Sequence, residues 1–285
     1  MIPAAFDYER AASVDGAIQL LEQHGEDAKL IAGGHSLLPL MRLRLARPSV
    51  LVDIDRLSDL AYVREDGDSV EVGSLSRMQD LTEDPVLLQH NPLLAYVCGQ
   101  VGDPQVRHRG TIGGSVAHGD PASDPPTALL ALDAQLVLHG SGGDRTVAAG
   151  DFFKGLFETA IQPTEVLTAI RVPKLAPGTG WSYQKFHRRA IDWAVVGVAA
   201  IVERNNGGIS RAAVGLTSMG MTPLRAAGVE SALAGADASP DVLAAAADHA
   251  ADNTSPPTDT NGSEEYRREL AKVLTRRALE EALAR

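Results

Sequence analysis

Residues 111–126 read TIGGSVAHGDPASDPP, and far upstream residues 32–36 read AGGHS. Each stretch sets a Gly-Gly pair beside a hydroxyl residue, just ahead of a segment able to start a helix. Glycine has no Cβ, so Gly33, Gly34, Gly113 and Gly114 can take positive φ and turn consecutive N–H groups toward one point. A helix start beside them adds unpaired donors and the positive end of a dipole. A single pair of this kind is ordinarily only a turn. Two pairs, each flanked by Ser or Thr, point to a ligand with more than one phosphate. AGGHSLLP lacks a Gly-Lys-Ser/Thr ending, and no G-x-G-x-x-G follows a strand anywhere. A P-loop NTPase and an ordinary Rossmann enzyme are therefore both disfavoured.

Around these motifs the chain alternates strands and helices. Ser13 can cap a helix whose apolar positions Val14, Ala17, Ile18 and Leu21 fall on one face, and Gly25 can end it. A short strand, Ala28 to Ala32, leads into the first glycine pair. A segment from Ser36 to Leu45, with Pro39 in its first turn, then precedes a strand at Val50 to Ile54. This is a β–α–β start with the glycines at the strand-to-helix corner. Asp66-Gly67 signals a hairpin between Ala61–Arg64 and Ser69–Val72. Helices are expected at Ser76–Thr82, Pro85–Val101 and Thr127–Leu132, with strands at Gln135–His139, Arg145–Ala148 and Val166–Val172.

Residues 173–180, PKLAPGTG, are the expected domain boundary. Beyond it come strands at Trp181–Arg188, Trp193–Arg204 and Ile209–Thr217, the last two joined by Asn205 to Gly208. Helices follow at Leu224–Leu233, Asp241–Ala251 and Glu264–Ala284, the last with Tyr266, Leu270, Val273, Leu274 and Ala278 on one face. Strands followed by helices mark an α+β domain.

At 285 residues the chain has room for about two domains. A net charge of −11, with basic runs no longer than His187–Arg189, argues against a nucleic-acid partner, which needs a clustered basic surface. MIPAAFDYER lacks the pattern of a signal peptide, and the longest apolar run, Ala194–Val202, cannot span a bilayer. The expected location is cytoplasmic. One cysteine, Cys98, excludes an internal disulfide and any Cys-ligated zinc or iron–sulfur site within the chain. In LLAYVCGQV it reads as a packed core thiol.

AGGHSLLPLMRLRLARPSVLVDI together with TIGGSVAHGDPASDPPTALLAL resembles the FAD-binding subunit of molybdenum hydroxylases, the xanthine dehydrogenase family. The carbon monoxide dehydrogenase branch is the nearest in likeness. The resemblance runs from the IP-x-x-FDY opening through KFHRR to the EYRR helix. It implies an α+β fold: a two-subdomain FAD-binding domain of the vanillyl-alcohol oxidase-like (PCMH) type at residues 1–176, divided near residue 56, and a C-terminal domain at 177–285 with a small antiparallel sheet and helices. By the same resemblance, Ala32, Gly33, Gly34, His35 and Ser36, with Thr111, Ile112, Gly113, Gly114 and Ser115, hold the pyrophosphate and ribityl region of FAD. Lys29 matches a basic position at the cofactor and Asp124 an acid that binds a cofactor hydroxyl. Leu167 and Lys185 match residues near the adenine and flavin ends. Two departures stand out: Ser115 replaces the family's usual Asn, and Trp193 sits where the carbon monoxide branch has a tyrosine near the isoalloxazine.

From the residues alone, Lys185 reads as a solvated strand lysine, Trp193 as a hairpin core residue, and Arg188 and Arg189 as solvated charge or partner contacts. His118, Asp120 and Asp124 lack a second histidine at usable spacing, and Pro121 and Pro125 break any helical face, so turn chemistry and cofactor contacts explain them better than a metal. His35 either touches a phosphate or only shapes its loop. No Ser-His-Asp or Cys-His arrangement can be read, which fits an electron carrier whose flavin does the chemistry. The resemblance implies partners: a large subunit with the molybdenum cofactor and a small subunit with iron–sulfur clusters, assembled as a dimer of heterotrimers. Electrons would pass through FAD to a quinone, or to NAD as in some relatives, in a complex that is soluble or loosely attached to the inner membrane face. The alternatives are a flavoprotein subunit of a related aldehyde or N-heterocycle dehydrogenase and a non-redox phospholigand-binding module.

Overall fold

The computed structural model describes residues 2–205 and 207–285; Met1 of the opening segment and Asn206 of the turn expected at 205–208 lie outside them. Ser13 accepts from the Gly16 amide at 3.0 Å and starts the helix Val14–His24, which Gly25 ends at φ +58°. The strands Ala28–Ile31 and Val50–Asp53 pair in parallel across this helix. Asp7–Arg10, which no sequence signal marked, adds a third parallel strand on the other side of Val50–Asp53. Ala17, Ile18, Leu21 and Val52 form the small core between helix and sheet.

A five-stranded antiparallel sheet follows in the order Val63–Asp66, Ser69–Gly73, Val166–Pro173, Gln135–Gly140, Gly143–Ala148. The helices between its strands bury Leu81, Leu93, Leu94, Ile112 and Leu129 against it. Pro85 to Val101 is not one helix: it breaks at Asn91 into Pro85–His90 and Pro92–Gly99. The residue before a proline is driven out of the α region. Asn91, at φ −147°, then caps the new helix from its side chain and donates to Pro173 O at 2.9 Å.

The last sheet is antiparallel, ordered Gly180–Phe186, Val196–Asn205, Gly208–Thr217, Leu224–Arg225. The final short strand takes the start of the expected helix 224–233, which begins only at Ala227. Both faces of Val196–Asn205 are covered, which is why it reads as a near-continuous apolar run. Ala199 and Ile201 join the core under the helix Asp124–Ala131, while Val196, Val198, Ala200 and Val202 face the C-terminal helices.

The terminal helix Glu264–Ala284 has the expected bounds but a different buried face. Tyr266 and Val273 are exposed, and Arg267, Ala271, Thr275, Leu279 and Ala282 turn inward beside Leu274 and Ala278. Small residues decide this: a Cβ on Gly180 would lie 1.8 Å from Ala282 O, so the helix lies on the strand by its alanine stripe. The architecture is α+β: up to residue 173 the described residues hold the three-stranded sheet, the five-stranded sheet and a small two-stranded one with their helices, and after it one four-stranded sheet with helices.

Candidate functional site

Gly33 is packed so tightly on the chain ahead of the second motif that a Cβ would fall 2.1 Å from Arg109 O and 3.0 Å from Gly110 Cα. A Cβ on Gly113 would fall 2.5 Å from Ser74 Cβ and 2.6 Å from Ser74 O. Polar contacts fasten the same seam. Asp55, just past the strand Val50–Asp53, takes Arg77 at 2.6 Å and Arg109 at 3.2 Å. Arg77 also donates to Arg109 O, and its backbone bridges Thr111. Two motifs about eighty residues apart in the chain thus share one wall.

The two loops do not divide their work as the sequence suggests. Thr111 caps the helix Ile112–His118, which places Gly113 and Gly114 in its first turn, and only Gly34, at φ +75°, has the left-handed backbone expected of all four glycines. The second loop's donors are already engaged: Ile112 N with Ser76 O at 3.0 Å, Gly113 N with Ser74 O at 2.8 Å, Gly114 N with the Thr111 hydroxyl at 3.1 Å, and Ser115 N with Thr111 O at 3.1 Å. The close approach of Ser74, not backbone handedness, is what requires glycine at 113. In the first loop, by contrast, the amides of Gly33, Gly34, His35 and Ser36 have no protein acceptor among the described residues. Four consecutive unpaired donors around a left-handed glycine make an anion nest.

This nest opens into a cleft of about 1120 Å³, above the usual range for one small-molecule pocket. Lys29 and Ala32 to Ser36 form one side, and Thr111, Gly113, Gly114 and Ser115 the adjoining side. Ile112 is the exception, buried in the core with its amide on Ser76. Leu167 lines the cleft where the strand Val166–Pro173 bulges between Leu167 and Ala169. Trp193 lines it from an exposed loop, 57% accessible, and so is no hairpin core residue.

Lys185 and Asp124 complete the wall, and neither is a solvated charge. Their side chains are 4% and 5% exposed and pair at 2.8 Å. Lys185 Nζ also donates to Gln100 O at 2.9 Å, and Tyr183 OH donates to the other Asp124 oxygen at 2.6 Å. Behind them the Thr127 and Thr217 hydroxyls meet at 2.6 Å. Burial pushes the Asp124 carboxyl above its ordinary range, with the Lys185 ammonium and the Tyr183 hydroxyl pulling against it. Burial, and then the Asp124 charge, holds the Tyr183 phenol well above its usual value. Both Asp124 oxygens therefore carry protein donors, and its first effect is to fix the Lys185 cation at the cleft wall.

One cleft residue carried no sequence signal. Phe157 takes φ +57° in the tight return between Phe153–Gly155 and Glu158–Thr159, a position where glycine is the usual clue, and its ring lies 5.0 Å from that of His118. Burial lowers the His118 pKa, with Asp120 opposing. That shift disfavours a charge on the ring where it lines the cleft.

Residues 4–175 match the family described as the FAD binding domain in molybdopterin dehydrogenase, and residues 181–282 match the CO dehydrogenase flavoprotein C-terminal domain. The chain belongs to the family of FAD-binding subunits of molybdenum hydroxylases, and is an oxidoreductase subunit. It is 43% identical over 285 residues to the carbon monoxide dehydrogenase medium chain of Hydrogenophaga pseudoflava, covering 100% of this chain and 99% of the relative. The corresponding chain of Afipia carboxidovorans is 40% identical, again with 100% and 99% covered. A solved structure of carbon monoxide dehydrogenase from Hydrogenophaga pseudoflava superposes with a TM-score of 0.98 at 44% identity, covering 100% of this chain and 99% of that one.

Proposed function

We propose that this chain is the medium subunit of a heterotrimeric carbon monoxide dehydrogenase, which holds FAD in the cleft and relays electrons from a partner's iron–sulfur clusters to a quinone. The observation that carries this reading is the row of four unpaired amides, Gly33 to Ser36, opening on the same cleft as the Lys185 cation. Those donors fit a diphosphate, and kinship over the whole chain to two carbon monoxide dehydrogenase medium chains supports the substrate of the complex. When bound, FAD would supply the redox chemistry, taking electrons singly and giving them up as a pair.

The chain's own residues bind, orient and tune. Ala32 to Ser36 would take the diphosphate on their amides, with the Thr111 and Ser115 hydroxyls and Lys29 beside them. Lys185, fixed by Asp124, would present its amine head at a set position toward the cofactor. Trp193, an indole where the carbon monoxide branch has a tyrosine, would cover the mouth. Asp124 and Leu167 would lie against the cofactor, and residue 177 would begin the domain that carries Lys185 and Trp193.

The single cysteine, Cys98, is buried, so clusters must come from another chain. We propose that this chain joins an iron–sulfur small subunit and a molybdenum-containing large subunit in a dimer of heterotrimers that is cytoplasmic, either soluble or loosely attached to the inner face of the membrane. No helix among the described residues is long and apolar enough to cross a bilayer.

The absorption spectrum of the copurified complex tests the reading. Flavin bands that bleach on adding carbon monoxide are expected. A colourless complex refutes it, and bands that bleach only with an aldehyde or an N-heterocycle assign the large subunit a different substrate.

A further inference from the structure

Arg267 is a buried cation that the cofactor reading does not use. Its side chain is 3% exposed on the inward face of the terminal helix, and its Nε has no hydrogen-bond partner. A buried charge is costly unless it is paired and fully hydrogen-bonded. Among the described residues the carboxylate it meets is Asp259, at 2.8 Å and 42% exposed. Its other terminal nitrogen donates to Val195 O. An apolar residue would fill this place in the helix stripe without that cost, so the bond to Val195 needs a reason.

The reason lies two residues upstream, at Trp193. The loop from His187 to Trp193 brings Ile191, Asp192 and Trp193 to the cleft, and its root is fixed at three points. Val195 N donates to Phe186 O at 2.8 Å, next to Lys185. The Ser218 hydroxyl donates to Ala194 O at 2.9 Å. Arg267 supplies the third, the one that comes from the terminal helix, and Arg188 touches Thr260 O at 3.4 Å on the same side. We propose that Arg267 is a positioning residue for the cofactor: by holding Val195 O it sets where Trp193 stands over the cleft. This rests on the reading that FAD occupies that cleft.

The test uses the full-length chain carrying Trp181→Phe, which leaves Trp193 as the one indole, since the chain has two tryptophans. Trp193 emission is measured with and without FAD, together with FAD affinity and thermal unfolding, for this parent and for Arg267→Met, Arg267→Lys and Leu279→Ala. Leu279 is buried on the same helix, three turns further from the loop. FAD should quench Trp193 in the parent. Arg267→Met should lose most of that quenching and weaken FAD binding about tenfold, the scale of one charge-assisted hydrogen bond. Arg267→Lys, which keeps the charge but cannot fork to both acceptors, should fall between, and it carries the test if Arg267→Met does not fold. Leu279→Ala should unfold at lower temperature and keep the quenching. Unchanged quenching and affinity in the Arg267 variants, or an equal loss in Leu279→Ala, overturns the proposal. An unquenched parent overturns the placement of FAD itself, and this inference with it.

Discussion

Gly33→Ala should separate the two halves of the cleft wall, and the size of the effect follows from one contact. The added methyl would sit 2.1 Å from Arg109 O and 2.8 Å from the carbonyl carbon. Both atoms are backbone, so no rotamer change relieves the clash, and the seam must open by about 1 Å to restore ordinary contact. That movement strains the Asp55 bonds to Arg77 at 2.6 Å and Arg109 at 3.2 Å. Overpacking in a close-packed seam costs roughly 1–3 kcal/mol, and a backbone clash with charged bonds behind it belongs at the upper end, about 3 kcal/mol. At roughly 2–4 °C per kcal/mol for a chain of this size class, the thermal midpoint should fall by about 6–12 °C. FAD content should fall with it, because the nest amides at Gly33 and Gly34 shift with the seam. Gly150→Ala is the control, since a Cβ there meets nothing within 4 Å. Differential scanning calorimetry and flavin-to-protein ratio on the purified complex measure both effects. A Gly33→Ala protein that melts with the wild type and keeps its full flavin would refute the packing account.

Gly114→Val adds bulk from a cleft-lining position where even a Cβ lies 2.8 Å from the Thr111 hydroxyl. It should cost FAD content, and full retention of flavin would show the site to be misplaced. Lys185→Met strands Asp124 without its cation, which should destabilise the fold by about 3–5 kcal/mol. The Asp124 carboxyl is already raised by burial, so its protonated form favours the folded state. The variant should therefore lose stability as pH rises through the raised pKa, and urea melts at pH 5 and pH 8 that shift equally would contradict this. Glu71 behaves in the opposite sense: burial pushes its carboxyl up, but hydrogen bonds from Tyr62, Arg171 and Arg64 outweigh that and hold it below the ordinary 4.5. Its contribution is present above that value and lost as pH falls through the lowered one, so Glu71→Gln should flatten the acid limb of stability measured by circular dichroism. Burial, and then the Asp124 charge, pushes the Cys98 thiol up to about 12. Iodoacetamide at pH 8 should label it only after unfolding, and stoichiometric labelling of the folded chain would disprove its burial.

What the sequence made legible is what local physics writes into it. Ser13 and Gly25 bound the first helix because a cap and a left-handed stop act within a few residues. The run VGVAAIV marks a strand buried on both faces, since both faces meet apolar neighbours. Asp7–Arg10 reads DYER and is mostly exposed, so no alternation betrays it, and it is a strand only because Val50–Asp53 offers it a parallel edge. The terminal helix shows the same limit. Its large apolar residues suggested a face through Tyr266 and Val273, while the contact chosen is the one that lets Gly180 approach Ala282 O. Which face is buried is decided by the partner's surface, and that is not local information.

The cleft wall divides along the same line. Gly-Gly beside a hydroxyl marks a place where backbone can approach something closely, and both motifs do so. For Gly113 the thing approached is Ser74, which then uses its carbonyl to occupy the very amide that the motif was expected to offer. For Gly34 no described residue takes the amides, and the nest stays open. The difference arises because the carbonyls of Ser74 and Ser76 point at the second loop's amides, while no described residue offers an acceptor to the first, and the motif itself does not show this. Buried Lys185 is the clearest case: alone it is one more strand lysine, and it becomes a fixed cation only when Asp124, some sixty residues away and held by Tyr183, closes on it. A phosphate site is therefore defined by donors left unpaired and charges held in place, and those depend on the protein groups that reach them first.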